Sequence, residues 1–231
     1  MKPYLLLLLA IVTLGTRPAL ADELEAKVPY LADIASAGWD FDAPPWKKAG
    51  RVDHLAKMGA VTMLGVSFHE EARQPTTIHL ARDRDALYFG FDCADPDAKN
   101  LEKSGAATES EGFPEGDRIE LYLEGDQASR QAYYHLAFNV AGARYRALQH
   151  NRVETGSWSV RTRFLKDRWQ AIVRIPYADI GLDPAQAEMR GMFYRMYRPD
   201  DRENGREQTT WGGRGVHQWS ALGLLKLEPI P

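Results

Sequence analysis

From Asp117 to Glu124 the chain alternates, with Ile119, Leu121 and Leu123 on one side and Arg118, Glu120, Tyr122 and Glu124 on the other. Successive side chains of an extended chain point to opposite faces, whereas a helix would scatter these apolar residues around its circumference. The segment is therefore expected to be a strand with one apolar face. The same period returns along most of the chain. Tyr134, Leu136, Phe138 and Val140 alternate with Tyr133, His135, Ala137 and Asn139. Ala141-Gly142 then reads as a turn and Arg144–Gln149 as the returning strand. Trp158, Val160, Thr162 and Phe164 share a face, as do Trp169, Ala171, Val173 and Ile175 across the turn at Lys166-Asp167-Arg168. Ala60–Ser67, Thr76–Ala81, Leu87–Cys93, Met192–Arg198 and Leu222–Leu227 complete the expected set of strands.

Turn signals separate these segments at short intervals: Asp83-Arg84-Asp85, Asp95-Pro96-Asp97 and Gly181-Leu182-Asp183-Pro184. That spacing, with helix confined to turns at Pro176–Ile180 and Pro184–Glu188, predicts an all-β fold. The expected architecture is an antiparallel two-sheet β-sandwich with short helical turns in its connections. Lys99–Gly116 and Pro199–Gly215 are long polar loops, the places on a β scaffold where binding residues gather. Trp46, Trp158 and Trp169 fit the inward pattern and are expected in the core.

The first 21 residues belong to a different argument. Lys2 precedes an apolar run that includes five consecutive leucines, Leu5–Leu9, and Ala19-Leu20-Ala21 offers small residues where signal peptidase needs them. The run is too short to cross a bilayer, which takes about 20 residues. Residues 1–21 are thus expected to be a signal peptide cleaved near Ala21, and residues 22–231 one domain in the periplasm or outside the cell. Cys93 is the single cysteine, so no internal disulfide is available and a packed core must supply the stability. The formal net charge of −3 gives no basis for a nucleic-acid partner.

No catalytic signature emerges. His69-Glu70-Glu71-Ala72-Arg73 lacks the second histidine of a zinc-protease helix. Ser67, in Gly65-Val66-Ser67-Phe68-His69, lacks the second glycine of a nucleophile elbow. Gly212-Gly213-Arg214-Gly215 has neither the spacing nor the preceding strand of a phosphate loop. Asp83, Asp85, Asp95 and Asp97 lie in turns and are candidate calcium ligands, because calcium takes several oxygens from flexible loops. Aspartate in a turn equally caps its own backbone.

Several segments together resemble family 9 carbohydrate-binding modules, within the wider DOMON-like superfamily. Ala37-Gly38-Trp39-Asp40-Phe41-Asp42-Ala43-Pro44-Pro45-Trp46 resembles the opening of the family. Ala81–Asp97 resembles its acidic turn and Leu-Tyr strand ending in Asp-Pro, and Glu115–Leu123 its loop and strand with Asp-x-x-Glu. Tyr133-Tyr134 with Asn139 and Gly142 matches the next hairpin, Trp169–Gly181 the strand ending in Ile-Pro, and Leu222-Gly223-Leu224-Leu225 the closing strand. The resemblance implies a sandwich that grips the end of a sugar chain between two aromatic rings, with polar side chains on the hydroxyls. It places the family's strand glutamate at Glu120, and Phe113-Pro114 stands where members often carry tryptophan. Trp211 and Trp219 occupy the region of the second ring. Trp219 directly precedes the last strand, a position that favours the core, while Trp211 fits core and platform equally. Arg198 ends a strand at the mouth of the second long loop, where it can donate to hydroxyls or pair with a carboxylate.

The expected function is that of an exported, non-catalytic protein binding an oligosaccharide or polysaccharide through Phe113, Glu120, Arg198, Trp211 and Trp219. A first alternative is a non-covalent haem-binding electron-transfer domain, with axial ligands drawn from Met58, Met63, His79, His135, Met192 and Met196. A second is a polysaccharide hydrolase or lyase, and a third an interaction module of an envelope complex.

Overall fold

A computed structural model describes residues 24–53, 55–58, 70–96, 98, 113–125, 132–154, 156–197, 205–217 and 219–231. These form two sheets. The strands are β1 (Glu25–Val28), β2 (Gly50–Asp53), β3 (Ala56–Lys57), β4 (Thr76–Arg82), β5 (Ala86–Ala94), β6 (Arg118–Glu124) and β7 (Tyr133–Asn139). They continue with β8 (Arg144–Leu148), β9 (Asn151–Arg152), β10 (Ser159–Phe164), β11 (Arg168–Pro176), β12 (Glu188–Tyr197), β13 (Glu207–Thr210) and β14 (Gly223–Leu227). One sheet runs β1-β14-β12-β6-β7-β8-β9, with β13 beside β12 and β3 beside β13; the other runs β10-β11-β5-β4-β2. The pairings are antiparallel apart from β1 on β14. The all-β sandwich expected from the alternation is the fold observed.

The inner faces meet as the alternation requires. Phe89 and Phe91 of β5 reach across to Phe193 of β12 and Phe138 of β7, each pair with ring centroids 5.7 Å apart. Trp46, Trp158 and Trp169 are fully buried, as the pattern predicts. Cys93 is enclosed with them, and burial pushes its thiol up, away from the reactive thiolate. A charged pair of the nine-stranded sheet is buried in this layer and bonds across it to β4. Arg195 Nη2 donates to Asp117 Oδ2 at 2.9 Å and its Nη1 to Thr76 Oγ1 at 3.1 Å. Burial alone would favour a neutral Arg195, but Asp117 more than offsets it and holds the guanidinium charged.

Residues 31–49 cover the outer face of the five-stranded sheet. Phe41 lies on Gly90, where an added Cβ would stand 2.7 Å from the ring, so only glycine admits this approach. The helical turn expected at Pro176–Ile180 is present as Tyr177–Ile180, closed by Gly181 in the left-handed conformation. The second one is corrected. Pro184–Glu188 forms no helix, because Asp183 caps Ala185 N in a tight turn (2.9 Å) and β12 starts at Glu188, four residues ahead of the expected Met192. The expected strand at Ala60–Ser67 lies outside the described residues.

Candidate functional site

On the outer face of the nine-stranded sheet lies a cavity of about 510 Å³, within the range of about 300–1,000 Å³ usual for small-ligand sites. Strand register builds its floor. Tyr194, Glu120, Ala137 and Tyr145 stand in one row across β12, β6, β7 and β8. Met192, Tyr122, His135 and Ala147 form the next row, and Met196, Arg118 and Asn139 a third. Gln208 of β13 extends the floor beside Met196.

Loops supply the walls. Phe113 stands over the floor, 4.9 Å from Tyr145 and 5.4 Å from His135, with the Arg118 guanidinium 5.0 Å from its ring centre. Gln149 and His150 come from the β8–β9 turn, and Val216 and His217 from the segment ahead of β14. Gln149 and His217 have φ of 54° and 63°, left-handed values that non-glycine residues seldom adopt, and both face this one cavity.

Glu120 organises the polar groups. It is nearly fully buried, and both its oxygens are used. Oε1 accepts from Arg118 Nε at 2.8 Å; Oε2 accepts from Tyr122 Oη at 2.6 Å and from His135 Nε2 at 3.0 Å. Burial pushes its carboxyl up, but the bonds from His135 and Tyr122 and the charge of Arg118 outweigh this and hold it below the ordinary carboxylate value. The direction of every proton then follows from the ionised carboxylate. His135 must carry its proton on Nε2, and Tyr122 must spend its own on Glu120. The Tyr122 oxygen, 3.3 Å from His217 Nε2, is left to accept from that nitrogen. His217 Nδ1 accepts in turn from Tyr133 Oη at 3.5 Å. His217 is suited to this neutral role, since burial and the nearby His135 and His150 lower its pKa.

The expected site residues part company here. Phe113 and Glu120 line the same cavity. Trp211 does not: it is 7 % exposed and lies over Phe193, 5.7 Å between centroids, on the core side of β12. Its ring also fills the space beside Gly223. Of the two readings open to Trp211, core and platform, the core one is observed, because β13 carries the chain straight from Thr210 into the interior. Trp219 is part of the same core margin, stacked under the Arg190 guanidinium at 4.8 Å, and does not line the cavity. Arg198 lies outside the described residues.

The acidic turns serve the backbone. Asp83 Oδ1 accepts from Asp85 N and Ala86 N at 2.8 and 2.9 Å, and its Oδ2 from Tyr88 Oη at 2.8 Å. Burial and the bond to Asp83 push the Tyr88 hydroxyl up to about 12. Asp85 is exposed, Asp95 is buried beside the Asp167 carbonyl, and Asp97 lies outside the described residues. No three acidic, histidine or cysteine side chains gather as metal ligands among the described residues, and both Asp83 oxygens are taken by internal donors. Of the six candidate haem donors, His135 and Met196 line this cavity, and Met58 packs against the core. His79 lies on the other sheet, Met192 is fully buried, His135 Nε2 is bonded to Glu120, and Met63 lies outside the described residues.

Sequence reasoning missed Arg118, Tyr122, Tyr145, Gln149, His150, Tyr194, Gln208, Val216 and His217 as site residues, and named His135 and Met196 for another role. One signal was available: the supposedly solvated face of the β6–β7–β8 segments carries Tyr122, Tyr133, His135 and Tyr145, more rings than a wet face needs. A smaller cavity of about 240 Å³ lies against the other sheet, between Phe41, Trp46 and His79, but both large rings are buried edge-on against their neighbours.

No family model matches the sequence, and no curated protein is significantly similar to it. Solved structures are similar in shape. A family 9 carbohydrate-binding module from Caldicellulosiruptor kristjanssonii, in complex with cellotriose, superposes with a TM-score of 0.59 at 14 % identity, over 90 % of this chain and 95 % of that one. The glucose complex of a family 9 module from the same organism gives 0.57 at 14 % identity, over 90 % and 97 %. A Bacteroides uniformis protein proposed to bind carbohydrate gives 0.57 at 13 %, over 89 % and 100 %. By its two-sheet architecture, matched along nearly its whole described length, the chain is a domain with the fold of the family 9 carbohydrate-binding modules.

Proposed function

We propose that the protein is an exported, non-catalytic carbohydrate-binding protein that takes a sugar, or the end of a polysaccharide chain, into the cavity on the nine-stranded sheet. One observation carries this reading: the half-buried rings of Phe113 and Tyr145 stand together in a cavity whose other described lining, Met196 and Val216 apart, consists of hydrogen-bonding side chains. A pyranose has an apolar face of C–H groups and a rim of hydroxyls. The rings suit the first, at little entropy cost because they have few rotatable bonds. Gln149, Gln208, His150, His217 and the outer nitrogens of Arg118 suit the second. The similar modules hold cellotriose and glucose, which supports sugar as the ligand class.

The non-catalytic part of the reading rests on Glu120. It is the one carboxylate among the described lining residues, and its oxygens are both occupied by internal donors. Hydrolysis of a glycosidic bond ordinarily takes two carboxylates flanking that bond. Export rests on the signal-like first 21 residues.

The test is calorimetric titration of residues 22–231 with a broad panel of soluble glycans, repeated with Phe113→Ala and Tyr145→Ala. Binding should be detected for at least one glycan class, and each substitution should weaken it about tenfold or more, the worth of about 1.4 kcal/mol. Silence across the panel, or full affinity in both variants, removes the proposal.

A further inference from the structure

The charges that the cavity shows to its occupant are unbalanced in a way that selects among sugars. Glu120 brings the negative charge of the described lining, and that charge faces inward. Its carboxylate takes three internal donors, at least one on each oxygen, and is nearly fully buried, so its charge is turned to its own neighbours rather than to the occupant. Arg118 is in the opposite position. It uses Nε on Glu120, while its two terminal nitrogens have no hydrogen-bond partner among the described residues, and the side chain lines the cavity at 18 % exposure. The Arg118 guanidinium lies over Phe113, which fixes the plane of its free edge. Arginine presented in this way matches a carboxylate with two parallel bonds. His150, exposed at the mouth, adds an imidazole N–H donor beside His217.

We infer that the ligand of this cavity is an acidic sugar, a uronic-acid residue whose carboxylate is held on the free edge of Arg118, and that Glu120 is a positioning residue that aims Arg118, Tyr122 and His135 without touching the sugar. The inference rests on the carbohydrate reading above and narrows it. Among the described lining residues a hydroxyl-only sugar would find donors but no charged acceptor turned toward it, whereas a uronate supplies the acceptor itself. The groups facing the bound carboxylate are Arg118 and the buried Glu120 of β6, Tyr145 of β8, His150 of the β8–β9 turn and His217 ahead of β14.

Matched trimers that differ in the carboxylate separate the possibilities: 1,4-linked galacturonic acid against 1,4-linked galactose, and cellotriose against its C6-oxidised counterpart. Calorimetry on residues 22–231 should give the acidic trimer at least about tenfold tighter binding than its neutral partner, with the difference shrinking at high salt. Arg118→Gln should bring the two within about twofold. Because that change strips Glu120 of a partner, His150→Gln is the companion variant. It sits on the exposed turn, leaves the fold intact, and should reduce the acidic preference by about two- to threefold. Chemical shifts of the His135 ring report the positioning role: Glu120→Gln should move them and weaken the acidic trimer while leaving the neutral one little changed. Neutral trimers that bind as tightly as acidic ones, or more so, overturn this inference and leave carbohydrate binding standing. Failure of every trimer, acidic and neutral, alongside silence of the wider glycan panel, overturns the carbohydrate reading itself.

Discussion

Two tryptophans show how little a loop position says about exposure. Trp211 is flanked by Thr210 and Gly212-Gly213, yet its ring is part of the core against Phe193 and Gly223. Trp211→Ala is therefore expected to cost about 3–5 kcal/mol, as other deletions of large buried rings do, while leaving the glycan affinity of the folded protein unchanged. Chemical denaturation and calorimetry on the same variant check both halves, and a variant that melts normally but no longer binds would reverse the assignment. Gly223 has a narrower role. A methyl group there would stand 2.6 Å from the Trp211 ring and 2.9 Å from Leu24, so Gly223→Ala is expected to destabilise by about 1–3 kcal/mol.

Among the elements, β6 ties the two sides of its sheet together. Its odd positions, Ile119, Leu121 and Leu123, are core; its even positions, Arg118, Glu120 and Tyr122, are the cavity floor. Just ahead of it Asp117 turns inward to Arg195 of β12. Both charges of that pair are buried, so removing one leaves the other without a counter-charge. Asp117→Ala is expected to lose about 3–5 kcal/mol, whereas a double change of Asp117 and Arg195 to apolar residues of similar volume should recover much of it. A urea melt of the single and double variants decides this. Equal stability of Asp117→Ala and the parent would mean that the pair carries no weight in the fold.

For the whole molecule the titrating groups act in the same direction. Burial lowers the pKa of His79 and His217 from an ordinary 6.5, with Arg51 helping at the first and His135 at the second. The folded protein resists protons that the unfolded chain accepts, so this contribution is intact above about pH 6.5 and is lost as pH falls below it. Glu120, held below its ordinary 4.5, acts lower down: its contribution is present above pH 4.5 and is lost as pH drops through its folded value. Thermal midpoints should fall between pH 7 and 5 and fall again below 4.5. His217→Gln should flatten the first descent and Glu120→Gln the second. A midpoint that rises on acidification from pH 7 would contradict the buried placement of His79 and the neutral role of His217.

Local alternation was enough to announce the strands, because the side-chain period of an extended chain is written directly in its residues. It gave the inner faces of β5, β6, β7 and β11 and the burial of Trp46, Trp158 and Trp169. What lay against the other face was not local information. Glu120, Tyr122, His135 and Tyr145 share a wall because β6, β7 and β8 pair in one register, Tyr194 joins them from β12, far along the chain, and Phe113, His150 and His217 close over them from three separate loops. For the same reason Trp211 could be told from a binding ring once Phe193 was seen beneath it. Each residue's neighbours along the chain determined the strand, and its neighbours across the sheet decided whether it faced core, water or cavity.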